Sequence, residues 1–210
     1  MTQTVKPFTA AILLAHPRAE SFTGAMASGF ADAFTAAGGQ AVVRDLYRIP
    51  FDPVLHAEEI PDHPGFKPRP DVVEERRLIG RADVFVLFYP LWFNATPAIL
   101  KGYVDRVFGM GFAYSSIHAG GNQPLLKGRK LLSFTSSGAP QAWVETSGAW
   151  TAMNKHFDEH LAGVAGLDLI GHHNTGGVTP GMSADVVAAR RAAVADIGWR
   201  LAQAHGVEAS

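Results

Sequence analysis

The sequence predicts an α/β fold: a doubly wound, five-stranded parallel sheet in the order 2-1-3-4-5, with helices on both faces. It reads as one domain over residues 1–210. Three observations predict this. Five short apolar runs alternate with segments of helical periodicity along the chain. The runs are continuously apolar, as strands covered on both faces must be. Polar, turn-rich loops follow the first, third and fourth runs, at the strand ends where open α/β sheets collect their ligands.

The first run is Ala10–Ala15. After the polar segment from His16 to Thr23, Phe22, Met26, Phe30 and Phe34 recur every four residues. They mark a helix over Ser21 to Ala37, which Gly38-Gly39 ends. Ala41–Leu46 is the second strand. Pro50 to Pro70 encloses five further prolines or glycines and reads as a long loop, a kind that is often functional. Val72–Arg81 is a helix whose charged run Glu74, Glu75, Arg76, Arg77 reads as mostly solvated. Val84–Tyr89 is the third strand and Ala98–Phe108 the next helix, followed by a second long loop from Gly109 to Gly128. Leu131–Thr135 is the fourth strand, Ala149–Val164 a helix, Leu167–Gly171 the fifth strand. Ser183 caps a last helix to about Gln203.

Composition narrows the function. The chain of 210 residues is 47% hydrophobic and 18% charged, enough apolar material for a sizeable core. The net charge of −1 offers no basic stripe for nucleic acid. The absence of cysteine excludes disulfides, thiolate metal sites and thiol chemistry. No apolar run approaches the roughly 20 residues of a membrane span. Lys6 and the short run to Ala15 fit a first strand better than a signal peptide. A soluble, cytoplasmic protein is expected.

Three loops carry the chemistry. His16-Pro17-Arg18-Ala19-Glu20-Ser21-Phe22-Thr23 places hydroxyls and amides at a helix N-terminus, a ready anion site. It has neither the glycine spacing of a dinucleotide fingerprint nor the Gly-Lys-Ser/Thr of a triphosphate loop. Read alone, Ser21 or Thr23 is first of all an N-cap. Tyr89-Pro90-Leu91-Trp92-Phe93-Asn94-Ala95-Thr96-Pro97 is a proline-bracketed aromatic loop. Alone it is as well read as core packing as a ring site. Ser136, Ser137 and Gly138 form a turn of small residues with backbone donors, alone an ordinary strand-to-helix turn. Together the three fit an elongated ligand, phosphate at one end and a flat heteroaromatic at the other. A flavin has that shape, and backbone donors would stabilise the negative charge that reduction develops near N1.

These segments resemble the flavodoxin-like NAD(P)H:quinone oxidoreductases, the DT-diaphorase group. The likeness rests on Ala15-His16-Pro17 with Ser21-Phe22, Asp45-Leu46-Tyr47 with Phe51-Asp52-Pro53, Pro90-Leu91-Trp92-Phe93 through Leu100-Lys101-Gly102 and Asp105–Phe108, and Phe112-Ala113-Tyr114. The resemblance spans nearly the whole chain. It implies a homodimer with a flavin at each of two shared sites, reducing quinones or similar acceptors by two electrons in a ping-pong cycle. By the same resemblance His16, Ser21, Phe22 and Thr23 would hold phosphate, and Pro90, Leu91, Trp92 and Phe93 would lie along the isoalloxazine. Ser136, Ser137 and Gly138 would meet its pyrimidine edge. Lys67 and Arg190 (or Arg191) stand where FAD-binding members reach the adenylate half, which favours FAD over FMN. Tyr114 and Trp143 would wall the acceptor pocket.

The chain also departs from that pattern. Where well-studied members place a tyrosine and a histidine after the fourth strand, the nearest residues here are Trp143 and Ala149. Their proton-relay role is therefore not carried over, and the flavin itself is expected to carry the hydride. His156 and His160 stand four apart on a predicted helix, and Asp158, Glu159 and the pair His172-His173 could add ligands, but no zinc motif accompanies them; the histidines read as surface or interface residues, so no metal is expected. No Gly-x-Ser-x-Gly elbow supports a hydrolase. The alternatives are a regulatory or ancillary flavoprotein of a transporter and a flavodoxin-type electron carrier. The near-zero charge and large loops fit the carrier less well.

Overall fold

The computed structural model describes residues 7–115 and 121–206. Lys6 and part of the second long loop lie outside them. The order is β1 (Thr9–Leu14), α1 (Phe22–Ala36), β2 (Gln40–Asp45), a 3-10 turn (Ala57–Glu59), α2 (Pro70–Ile79), β3 (Val84–Pro90), α3 (Ala98–Val107), β4 (Lys130–Ser136), α4 (Gln141–Thr146), α5 (Ala149–Met153), a π-helical turn (Asn154–Glu159), α6 (His160–Ala165), β5 (Asp168–Thr175) and α7 (Ala184–Gly206). All four strand pairings are parallel and the sheet order is β2-β1-β3-β4-β5. This is the predicted flavodoxin-like arrangement.

Period-two alternation along β3 divides the core. Val84, Val86 and Phe88 face α1 and α7, while Phe85, Leu87 and Tyr89 face α2, α3 and α6. Both sides are apolar, which is why the run showed no alternation in sequence. On the first side Phe30 meets Phe34, Phe88 and Phe134, and Phe88 stacks on Phe134 at 4.7 Å. The helical stripe of α1 is thus the cover of the sheet.

The long loop before α2 is held down by charge. Arg106 of α3 is fully buried and donates to Glu59 at 2.7 and 2.9 Å and to Asp71 at 2.6 and 2.9 Å. It also reaches the Asp52 carbonyl and lies 5.1 Å from the Phe51 ring. The guanidinium keeps both carboxylates below their usual range although burial pushes the other way.

Five sequence expectations need correction. Glu75 is buried, not solvated, and accepts from Arg44 Nε and from the Tyr103 hydroxyl, each at 2.9 Å. Arg76 turns inward to the carbonyls of Val107 and Arg106 at 2.9 and 3.1 Å, capping α3. Arg77 does stay exposed, paired with Glu74. The helix expected over Ala149–Val164 is preceded by α4 and widened by the π turn. β5 runs four residues further than read, to Thr175, because polar His172 and Asn174 find partners on β4. His172 is therefore a buried strand residue with a side chain 2% exposed, not a surface histidine.

Tyr89 is the one buried side chain whose polar atom has no hydrogen-bond partner among the described residues. Burial, then the nearby Asp158 carboxylate, raises its pKa well above the ordinary tyrosine value. Removing an unpaired buried hydroxyl relieves a desolvation cost. Tyr89→Phe is accordingly expected to leave stability unchanged or raise it by up to about 1 kcal/mol in urea unfolding.

Candidate functional site

The first loop is set by the start of α1. Ser21 is the N-cap, and its Oγ accepts from the Gly24 amide at 3.0 Å. The capping role is real, so Ser21 has only part of its hydrogen-bonding capacity left for an anion. The other first-turn amides lack intrahelical partners, as at any helix start. His16 Nδ1 accepts from the Arg18 amide at 3.1 Å, which leaves Nε2 as the protonated nitrogen of the neutral ring. Burial lowers the His16 pKa, and the Arg18 and Arg48 charges add to this against the opposing bond to the Arg18 amide. Arg48 clamps the loop from beneath, donating to the His16 and Pro17 carbonyls at 3.1 and 2.9 Å.

The second loop is a tight hairpin. Trp92 and Ala95 exchange two backbone bonds of 3.1 Å around Phe93 and Asn94, both left-handed at φ 50° and 56°. That is the two-residue geometry asparagine suits and phenylalanine resists. Phe93 is held in it fully exposed, at the tip. Asn94 Nδ2 ties the hairpin to the Ala149 carbonyl at 3.0 Å. Strain in an exposed aromatic tip is the kind of feature found at ligand clamps.

The third loop joins the other two. The Leu91 amide donates to the Ser136 carbonyl at 2.7 Å, and the Ser136 and Thr23 hydroxyls meet at 3.2 Å. Behind it, Ser137 exchanges bonds with Thr175 and Val178, and the Gly177 amide donates to Ala139. The segment after β5 is thereby stitched to the turn.

One open crevice of about 340 Å³ at the carboxyl end of the sheet is lined by His16, Ser21, Phe22, Thr23, Pro90, Leu91, Trp92, Ser136, Ser137 and Gly138. Three separate loops converge because β1, β3 and β4 are adjacent. Phe93 stands beside it at the hairpin tip. The remaining residues singled out in the sequence lie elsewhere. Arg190 lines an adjoining cavity with Phe22, Thr23, Ser136 and His173. Lys67 is exposed in the loop before α2, its amide bonded to Glu58. Tyr114 lines grooves near α3, and Trp143 is exposed on α4.

Sequence reading missed six contributors, of which Glu20 and Pro180 simply line the crevice. Arg18 lines the crevice, and its position beside His16 was a visible signal. Arg48 had none, because its role is a contact with carbonyls 31 and 32 residues away. Val178 and Thr179 line both this crevice and a neighbouring cavity of about 600 Å³ that also holds Glu20, Ser21 and Phe22. Their segment has no periodicity to mark it.

A family model described as flavodoxin-like fold matches residues 9–197. This chain belongs to the flavodoxin-like family. Family membership agrees with the sheet order and with a crevice placed at the β1/β3 switch point. Among flavodoxin-like relatives, an uncharacterized NAD(P)H oxidoreductase of Haemophilus influenzae is 38% identical over 130 residues, 61% of this chain and 63% of the relative. NAD(P)H dehydrogenase [quinone] 1 of Cavia porcellus is 32% identical over 147 residues, 62% of this chain and 54% of the relative. The chain thus spans between about half and two thirds of the length of these relatives. The solved NAD(P)H:quinone oxidoreductase of Methanothermobacter marburgensis superimposes with a TM-score of 0.76 at 29% identity, covering 94% of this chain and 96% of that one.

Proposed function

We propose that this chain is a flavin-dependent NAD(P)H oxidoreductase that delivers two electrons to quinones or similar acceptors. The observation that carries the reading is the convergence of an anion-holding helix start, an aromatic hairpin and a turn of small residues in one crevice. The names of the relatives at 38%, 32% and 29% identity point the same way. The donor set fits a flavin: amides and cations, with the Glu20 carboxylate beside them, at one end, flat apolar walls in the middle, backbone donors at the far edge.

In this reading α1 and His16, flanked by Arg18 and Arg48, hold phosphate. Pro90, Leu91, Trp92 and Phe93 lie along the ring, and Ser136–Gly138 meet its polar edge. The chemistry a bound flavin supplies is hydride exchange, taking a hydride from NAD(P)H and passing reducing equivalents to the acceptor. The chain's own part is to grip, orient and desolvate. We favour FAD over FMN because a neighbouring cavity of about 600 Å³ shares Ser21, Phe22, Val178 and Thr179 with the crevice, and Arg190 lines another that shares Phe22, Thr23 and Ser136. Tyr114, Trp143 and Lys67 do not line the crevice of their own chain. A homodimer in which a second copy presents such residues is part of the proposal, as are a single domain and a cytoplasmic setting. No helix among the described residues is long and apolar enough to cross a membrane.

Flavin titration followed by fluorescence tests the site. Trp92→Ala is expected to weaken FAD binding at least about tenfold, about 1.4 kcal/mol, in line with lost ring stacking. Phe93→Gly separates binding from folding. It relieves the left-handed strain of about 1 kcal/mol but frees the unfolded chain by a similar amount, so stability should stay within about 1 kcal/mol. Flavin retention should nonetheless fall. Wild-type affinity in both variants would remove the hairpin from the ring site.

A further inference from the structure

Beneath the third loop lies a buried pair that the proposed chemistry has not used. Asp158 is fully buried on the π-helical turn, and its Oδ2 is 2.7 Å from His172 Nδ1 on β5. Its Oδ1 accepts from the Ser133 hydroxyl at 2.6 Å. The wide π turn is what aims Asp158 inward, a local departure often found at functional positions. Trp150 closes over the imidazole edge-on at 4.8 Å.

The hydrogen bonds leading from this pair fix where its protons are. The Gly176 amide can only donate, and it donates to Gln141 Oε1 at 3.0 Å. Gln141 Nε2 faces the Glu145 carboxylate at 2.8 Å, so the amide is oriented without ambiguity. Asn174 therefore presents Nδ2 to Gln141 Oε1, at 2.8 Å, and its Oδ1 to Thr135. The single Thr135 hydroxyl proton is spent on Asn174 at 3.0 Å. His172 Nε2, 2.9 Å from Thr135 Oγ1, must then be the donor. A second proton lies between Nδ1 and Asp158, and the Ser133 bond stabilises the carboxylate form. His172 donates through both nitrogens: the pair is an imidazolium against a carboxylate, with the cationic end toward Thr135 and the crevice turn that begins at Ser136.

The chain of bonds stops at the Asn174 amide, which does not pass protons on. It is a fixed scaffold, not a proton wire. It also reaches Ser137 Oγ at 3.4 Å and, through Gln141, the Gly176 amide on the segment behind the turn.

We propose that Asp158 and His172 are a positioning pair for the crevice, a buried ion pair whose cationic end orders the donors behind Ser136–Gly138 and favours the reduced, more negative form of the ring bound there. This rests on the flavin reading above. It assigns electrostatic support for the ring's polar edge to a pair beneath the sheet's end, on residues distinct from Trp143 and Ala149.

Two measurements test it. Histidine-selective nitrogen NMR of the flavin-free protein should show a residue with both ring nitrogens protonated and hydrogen-bonded. That signal should vanish in His172→Gln. A bare nitrogen on His172 overturns the proposal, and this holds even if the variants fail to fold with flavin. In the flavin-loaded protein, Asp158→Asn keeps the hydrogen bonds but removes the charges. The ratio of reduced- to oxidised-flavin affinity should fall about tenfold, about 30 mV for a two-electron couple, with melting temperature and flavin stoichiometry unchanged. Asp158→Glu should restore the ratio. A wild-type ratio in Asp158→Asn overturns the proposal while leaving the flavin reading intact. A wild-type protein that binds no flavin overturns the reading, and the role assigned to the pair falls with it.

Discussion

Arg106→Ala is expected to destabilise the protein by about 3–5 kcal/mol, because it strands one buried and one partly buried carboxylate without a counter-charge. The Arg106 side chain is fully buried, and Glu59 and the partly buried Asp71 receive four of its bonds. Arg106→Lys should recover only part of the loss, since an ammonium cannot fork to two carboxylates. The same cluster sets a pH dependence. Glu59 and Asp71 are held below their usual range in the folded state, so the unfolded chain binds protons first. Their contribution is present at neutral pH. It is lost as the pH falls from about 4, the ordinary carboxylate range, through their depressed folded values. Urea midpoints should fall with pH in the wild type and much less in Arg106→Ala. A wild-type midpoint for Arg106→Ala would mean that the loop before α2 does not depend on this cluster.

Gly176→Ala is the second large effect, and it joins fold to site. A Cβ there would lie 2.3 Å from the Gln141 amide nitrogen, 2.6 Å from its Cα and 2.9 Å from the Ala139 carbonyl oxygen. These are backbone atoms, so the contact is relieved only by parting the segment after β5 from the turn after β4. Overpacking of this kind costs about 1–3 kcal/mol. It would also break the Gly176–Gln141 bond that orders the crevice turn. Both the melting temperature and flavin affinity are expected to fall, whereas Gly163→Ala, inside α6 with open space around its Cβ, should leave flavin affinity unchanged and hold or raise the melting temperature. Unchanged flavin affinity in a folded Gly176→Ala protein would separate this segment from the site.

The doubly wound parallel sheet was legible because its central strands are buried on both faces, and the order 2-1-3-4-5 is a common arrangement of that class. A run such as Val84–Tyr89 has few other homes in a chain of this size. The crevice was legible in its three loops for the same reason: chemistry-rich segments follow adjacent strands. What escaped reading depends on distance or brevity. α4 has six residues between Pro140 and Gly148, too few for a period to show. The π turn that buries Asp158 has no local signature. Arg106 and its carboxylates are 47 and 35 residues apart, so the charged residues of the long loop looked like solvated ones. Glu75 and Arg76 misled in the same way, as charges read as surface whose partners are supplied by other elements. His172 looked like half of a surface pair because the extension of β5 is decided by hydrogen bonds to β4. The left-handed Phe93 could not be expected, since aromatic residues rarely occupy that region.

The central claim is that the crevice holds a flavin that exchanges electrons with both a nicotinamide and a quinone. The most direct measurement is anaerobic stopped-flow absorbance on protein loaded with FAD or FMN, in two separate half-reactions. NADH or NADPH should bleach the flavin within seconds, and a simple quinone mixed with the bleached protein should restore the oxidised spectrum without a detectable ternary complex. A protein that takes up neither flavin, or a loaded one that neither nucleotide bleaches, would contradict the account.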